Sequence, residues 1–191
     1  MFGLFVVATL YSSVGHGGAS GYLAVLSLSS YGMMSAGWLK QHAWCLNLIV
    51  ASIAFLNYYR EGFHISKLTW PFIITSIPFA MLGGFLIVDG ALYDTLLSII
   101  LIWAAYRLMR IESESGFSEL NIPPLKNSLP IGGGIGFTSG IIGVGGGIFL
   151  SPILLLNKWA SAKNVAATSA LFIWVNSAAG ITGASISGQL V

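Results

Sequence analysis

The sequence predicts an all-α fold: a polytopic transmembrane helical bundle made of two internal repeats, each with a helix broken by glycines. Three observations carry this. Hydrophobic residues make up 55% of the 191 residues and charged ones only 7%, with a mean hydropathy of +0.84, far above what a soluble domain carries. Residues 1–39 and 127–157 contain no Asp, Glu, Lys or Arg, and each run exceeds the roughly 20 residues that cross a bilayer as a helix. Finally, a glycine signature occurs twice, as Gly15-His16-Gly17-Gly18 and as Gly143-Val144-Gly145-Gly146-Gly147.

Apolar length and charge placement mark six segments, at 2–30, 38–59, 67–88, 91–109, 128–156 and 162–188. The first lacks the basic start of a secretory leader and is followed by further apolar runs, so it reads as part of the bundle. None of the six alternates in polarity over about ten residues, as barrel strands would. Asp89 and Asp94 flank the junction of the third and fourth segments and are placed at an interface. A polar stretch, Arg110 to Lys126, then holds Glu112, Glu114, Glu119 and Pro123-Pro124 and reads as a linker. This divides the chain into a first repeat at 1–109 with about four transmembrane helices, a linker at 110–127, and a second repeat at 128–191 with about two.

The halves align. Gly15 on Gly143 places Leu26 on Leu154, and a two-residue gap then pairs Ser35-Ala36 with Ser161-Ala162 and Gly62 with Gly188. In this register Val191 meets Ile65, so the counterparts of the third and fourth segments are expected to be missing from the chain. Arg60, Lys67, Arg107, Arg110 and Lys126 gather on one side of six simple spans, which favours a cytoplasmic linker. Whether the repeats are parallel or inverted depends on the number of crossings between them.

Consecutive glycines weaken a helix, by roughly 1 kcal/mol each relative to alanine. Each signature lies near the middle of a run longer than one span, so a break is expected there. Opened backbone at membrane depth must be buried in protein or line a polar cavity. The N–H groups starting the second half-helix carry partial positive charge and suit an anion. The candidate substrate-binding residues are therefore Gly15, His16, Gly17, Gly18, Gly143, Gly145, Gly146 and Gly147. Beyond the signatures, Lys40 and Lys163 would attract the anion, and His42, Thr168 and Ser169 would coordinate it. Bland readings stand beside these: the lysines snorkel, Thr168 and Ser169 satisfy a helix start, and His16 lines a packed contact. The ladder Gly132, Gly136, Gly140 reads as helix packing, with Ala8 and Ser12 matching its last two members. Asn47 and Asn176 lie in apolar helices and need partners.

These motifs resemble the sulfite exporter TauE/SafE family, also called the toluene sulfonate uptake permease family. The likeness runs through Gly143-Val144-Gly145-Gly146-Gly147, Ser151-Pro152, and Lys163 through Ala167-Thr168-Ser169. In the first half it is looser, with Ala24 at the proline position and His42-Ala43 at Thr-Ser. The resemblance implies a transporter of seven or eight helices moving sulfur-containing oxyanions such as sulfite or organosulfonates, in a bacterial-type inner cell membrane.

Two other classes compete. Gly18-Ala19-Ser20-Gly21 spells the GxSG pattern of intramembrane serine proteases, with His42 or His64 as the base, but Ile148 replaces Ser20 in the second copy. A non-transporting scaffold would explain the ladder but not the duplicated signature. No motif calls for a cofactor or a metal, Cys45 stands alone, and the small dispersed charge argues against nucleic acid. The expected partners are a small-molecule anion and the lipid bilayer, with a homo-oligomer left open.

Overall fold

The computed structural model describes residues 2–12, 18–109 and 120–190. Among them all regular structure is helical: α1 (Phe2–Ser12), α2 (Ala19–Ser27), α3 (Ala36–Arg60), α4 (Ser66–Phe85), α5 (Gly90–Met109), α6 (Leu125–Ile142), α7 (Gly147–Leu156) and α8 (Ala162–Ile186). A 3-10 turn at Ser30–Met33 joins α2 to α3. Helices α3, α4 and α8 are each long and apolar enough to cross a membrane.

Two of the six apolar runs are thus pairs of helices. The run at 128–156 divides at Gly143–Gly146, and α6 starts at Leu125, inside the predicted linker, with Pro124 as its N-cap. Proline presets the backbone angle of an entering helix and gives up no needed N–H there, so the turn begins directly after it. The rest of the linker, 110–119, lies outside the described residues, as do Gly15, His16 and Gly17.

Helices α3 and α8 share their ends. Each has 25 residues and a serine N-cap, Ser35 accepting from the Trp38 N–H and Ser161 from the Asn164 N–H. Each closes with a positive-φ glycine, Gly62 and Gly188, and a 6→1 backbone bond from the next residue, Phe63 to Tyr58 and Gln189 to Ala184. The two-residue gap in the alignment falls before α3, where the 3-10 turn has no counterpart after α7.

Contacts between α3 and α8 pair low numbers with high ones. The Asn47 amide bonds to Ser177, Trp44 packs against Gly180 and Gly37 approaches Gln189, while Asn164 at the start of α8 donates to the Phe63 carbonyl after α3. The two helices therefore run antiparallel.

Helix α4 lies between α6 and α8. A β-carbon on Gly132, Gly136 or Gly140 would collide with the carbonyl oxygen of Phe72, Ser76 or Ala80 respectively, and one on Gly183 with that of Met81. The glycine ladder is a packing face, as its four-residue spacing suggested. Small residues let backbones touch where lipid supplies no hydrophobic drive for association. The core of the bundle is lined by Leu68, Phe72, Ile73, Leu150, Leu154 and Phe172, all buried.

Candidate functional site

The break between α6 and α7 is made by three left-handed glycines, Gly143 (φ 90), Gly145 (φ 76) and Gly146 (φ 87), a conformation that β-carbons oppose. Gly18 (φ 85) holds the equivalent N-cap position of α2. Breaking the ladder frees backbone groups on both sides. The Ile142 carbonyl accepts from the Tyr93 hydroxyl at 3.1 Å. The Gly145 carbonyl accepts from Asn176 Nδ2 at 3.4 Å, with that amide held by Ser76 Oγ, which donates to Asn176 Oδ1 at 2.7 Å. The Gly146 carbonyl accepts from the N–H groups of Phe149 and Leu150. No backbone carbonyl accepts from the N–H groups of Val144, Gly145, Gly146 or Gly147 among the described residues. Four successive N–H groups are thus without a backbone acceptor among the described residues, which is the donor arrangement of an anion site at a helix start.

Helix α3 supplies the facing wall. Lys40, Trp44 and Asn47 recur at i, i+4 and i+7 and so share one face. A β-carbon on Gly143 would lie 3.0 Å from Lys40 Cα, and one on Gly145 would lie 2.6 Å from Asn47 Nδ2. All three side chains are at least 98% buried. Asn47 Nδ2 reaches Ser177 Oγ at 3.2 Å, while Asn47 Oδ1 has no partner. Trp44 Nε1 and Ser139 Oγ also lack partners in the structure. An amide oxygen buried beside the break with no partner among the described residues is costly for a purely structural arrangement.

Lys40 is the one buried Lys, Arg, Asp or Glu side chain among the described residues. Its ammonium stands 5.8 Å from the centre of the Trp44 ring, and no carboxylate pairs with it. It lines a cavity of about 400 Å³ shared with Ser35, Gly37, Asp89 and Gln189, where the start of α3 meets the start of α5 and the end of α8. Asp89 is exposed, as an interfacial residue should be.

The other predicted residues are distributed differently. Ser169 lies beside the break, its carbonyl 3.6 Å from where a Gly147 β-carbon would be, and its hydroxyl pairs with Ser151 at 2.8 Å. Thr168 faces α4 and pairs with Thr69 at 3.0 Å. His42 stacks on Trp38 with Nδ1 2.8 Å from the Trp38 carbonyl. Lys163 is exposed, its ammonium 4.5 Å above the Phe63 ring. The geometry thus gathers Lys40 and the second signature, ties Thr168 and Ser169 into helix contacts, and leaves His42 and Lys163 aside. Trp44, Ser76, Tyr93, Ser139 and Ser177 were not singled out from the sequence. Only Trp44 carries a spacing signal, four residues after Lys40 and three before Asn47 on one face of α3.

A family model described as sulfite exporter TauE/SafE matches residues 1–191. A curated relative from Sinorhizobium fredii (strain NBRC 101917 / NGR234), named "Probable membrane transporter protein y4hK", is 36% identical over 186 residues, covering 96% of this chain and 74% of its own. No solved structure matches. With the whole chain matched, and with a glycine-broken helix inside a bundle of apolar helices, the protein belongs to the sulfite exporter TauE/SafE family of membrane transporters.

Proposed function

We propose that the protein is a secondary transporter of small sulfur-containing oxyanions, such as sulfite or organosulfonates, in a bacterial-type inner cell membrane. The substrate sits between the Gly143–Gly147 break and the Lys40, Trp44, Asn47 face of α3. The observation that carries this reading is the run of donors at the break: the N–H groups of Val144, Gly145, Gly146 and Gly147 have no backbone acceptor among the described residues. An oxyanion accepts from all of these and donates to none of them.

The antiparallel course of α3 and α8, with their matching caps, supports an inverted repeat, the arrangement that places a substrate site near the midplane in many transporters. Lys40 supplies the attraction. Gly18, left-handed at the N-cap of α2, is the described part of the first signature and matches Gly146 at the N-cap of α7.

The test is anion flux in proteoliposomes holding the full chain. Asn47→Leu and Trp44→Phe should each lower flux of sulfite or methanesulfonate by about tenfold or more while the protein stays monodisperse in detergent. Unchanged flux in both variants would remove the α3 face from the site.

A further inference from the structure

The charges around the Lys40 cavity set a condition on its ligand. At its base lies one ammonium, 98% buried, without an acidic partner. The cavity's other polar side chains, Ser35 and Gln189, are uncharged. At the rim stands Asp89, an exposed carboxylate lining the same cavity. Lys163, the cation at the sequence-equivalent end of α8, lies over Phe63 and outside this cavity.

A buried charge is tolerated when it is paired. One ammonium balances one negative charge, and the neutral donors then only share the anion's hydrogen bonds. A second negative charge in the same space would have no counter-charge, would sit in a low-dielectric interior, and would first pass the Asp89 carboxylate. Both ends of the cavity therefore disfavour a doubly charged ligand, one by lack of attraction and one by repulsion.

We propose that this cavity selects singly charged oxyanions over doubly charged ones, with Lys40 as the sole counter-charge and Asp89 as the rim residue that rejects the second charge. The proposal rests on the anion-transport reading and narrows it. For sulfite, the species carried is hydrogen sulfite. Lys40 acts by charge, so Arg should replace it in part and Met should not. Asp89 acts on ligand charge, so its effect on a dianion should be about twice, in free energy, its effect on a monoanion.

The experiment compares methanesulfonate, a permanent monoanion, with sulfate, a dianion with a related oxygen set, in proteoliposomes of the full chain at one ionic strength. Wild-type flux of methanesulfonate should exceed that of sulfate by about tenfold or more. Lys40→Met should lose methanesulfonate flux by about tenfold, and Lys40→Arg should recover part of it. Asp89→Asn should raise sulfate flux severalfold, and by a larger factor than it raises methanesulfonate flux. Sulfate moving as fast as methanesulfonate in the wild type overturns the charge selection and leaves anion transport standing. Neither anion moving, with no stabilisation of the protein by either or by sulfite, overturns the transport reading itself. A folded Lys40→Met protein with wild-type methanesulfonate flux removes Lys40 as the counter-charge. Because the wild-type comparison needs no variant, misfolding of a substituted chain does not shield the proposal.

Discussion

Ser76 Oγ donates a 2.7 Å hydrogen bond to Asn176 Oδ1, joining α4 to α8 at a point where both side chains are fully buried. That bond orients the Asn176 amide so that its Nδ2 faces the Gly145 carbonyl. Ser76→Ala leaves a buried amide oxygen unsatisfied and should cost about 1–3 kcal/mol. Thermal unfolding in detergent reads the loss, and a variant as stable as the wild type would show that the bond is not formed.

Trp44 offers the opposite case. Its Nε1 has no partner within the protein, so Trp44→Phe breaks no internal hydrogen bond, although the smaller ring gives up some packing. Stability should fall by no more than about 2 kcal/mol, whereas stabilisation by added anion should disappear. Retained anion stabilisation in the phenylalanine variant would mean that the indole N–H is not a ligand.

The glycine ladder separates positions that look alike in sequence. A β-carbon on Gly136 would stand 2.5 Å from the Ser76 carbonyl oxygen, while one on Gly134 meets nothing within 4 Å. Gly136→Ala should therefore destabilise the bundle by about 1–3 kcal/mol. Gly134→Ala should stabilise it by about 0.5–1 kcal/mol through helix propensity. Equal effects at both sites, measured by thermal melting, would contradict the packing of α6 on α4.

His64, in the turn between α3 and α4, has its pKa lowered by burial, among Phe55 and Tyr59. The unfolded chain then binds the proton more readily than the folded one. This histidine's contribution is fully present above its unfolded pKa of about 6.5 and is lost as pH falls from there through the lower folded value. Wild-type stability should drop more steeply than that of His64→Gln below about pH 6.5. Identical pH profiles would show that the imidazole is solvated.

Much of the fold was legible. The apolar runs, the four-residue glycine ladder and the matched serine and glycine caps of α3 and α8 are local signals, each with a physical cause within a few residues. The break at Gly143–Gly147 was legible too, because consecutive glycines are costly in a continuous helix. Of the site's other wall, Lys40 was marked by its charge and Asn47 by its amide in an apolar helix, while Trp44 was not marked. That Lys40 and Asn47 meet the break depends on how α3 packs against α8, a relation set by helix crossing rather than by spacing. Thr168 shows the reverse: it looked like a ligand from its place beside Ser169, and tertiary packing gives its hydroxyl to Thr69.

The glycines of α6 and α8 press backbone against backbone on two sides of α4. Such contacts have no flexible side chain between them to absorb sliding or rotation, so α4, α6 and α8 act as a stator. Helix α3 meets α8 through Trp44, Asn47 and other side chains, and α7 is joined to α6 through three glycines. The three left-handed glycines give the α6–α7 junction a backbone freedom that these close contacts deny to α4, α6 and α8.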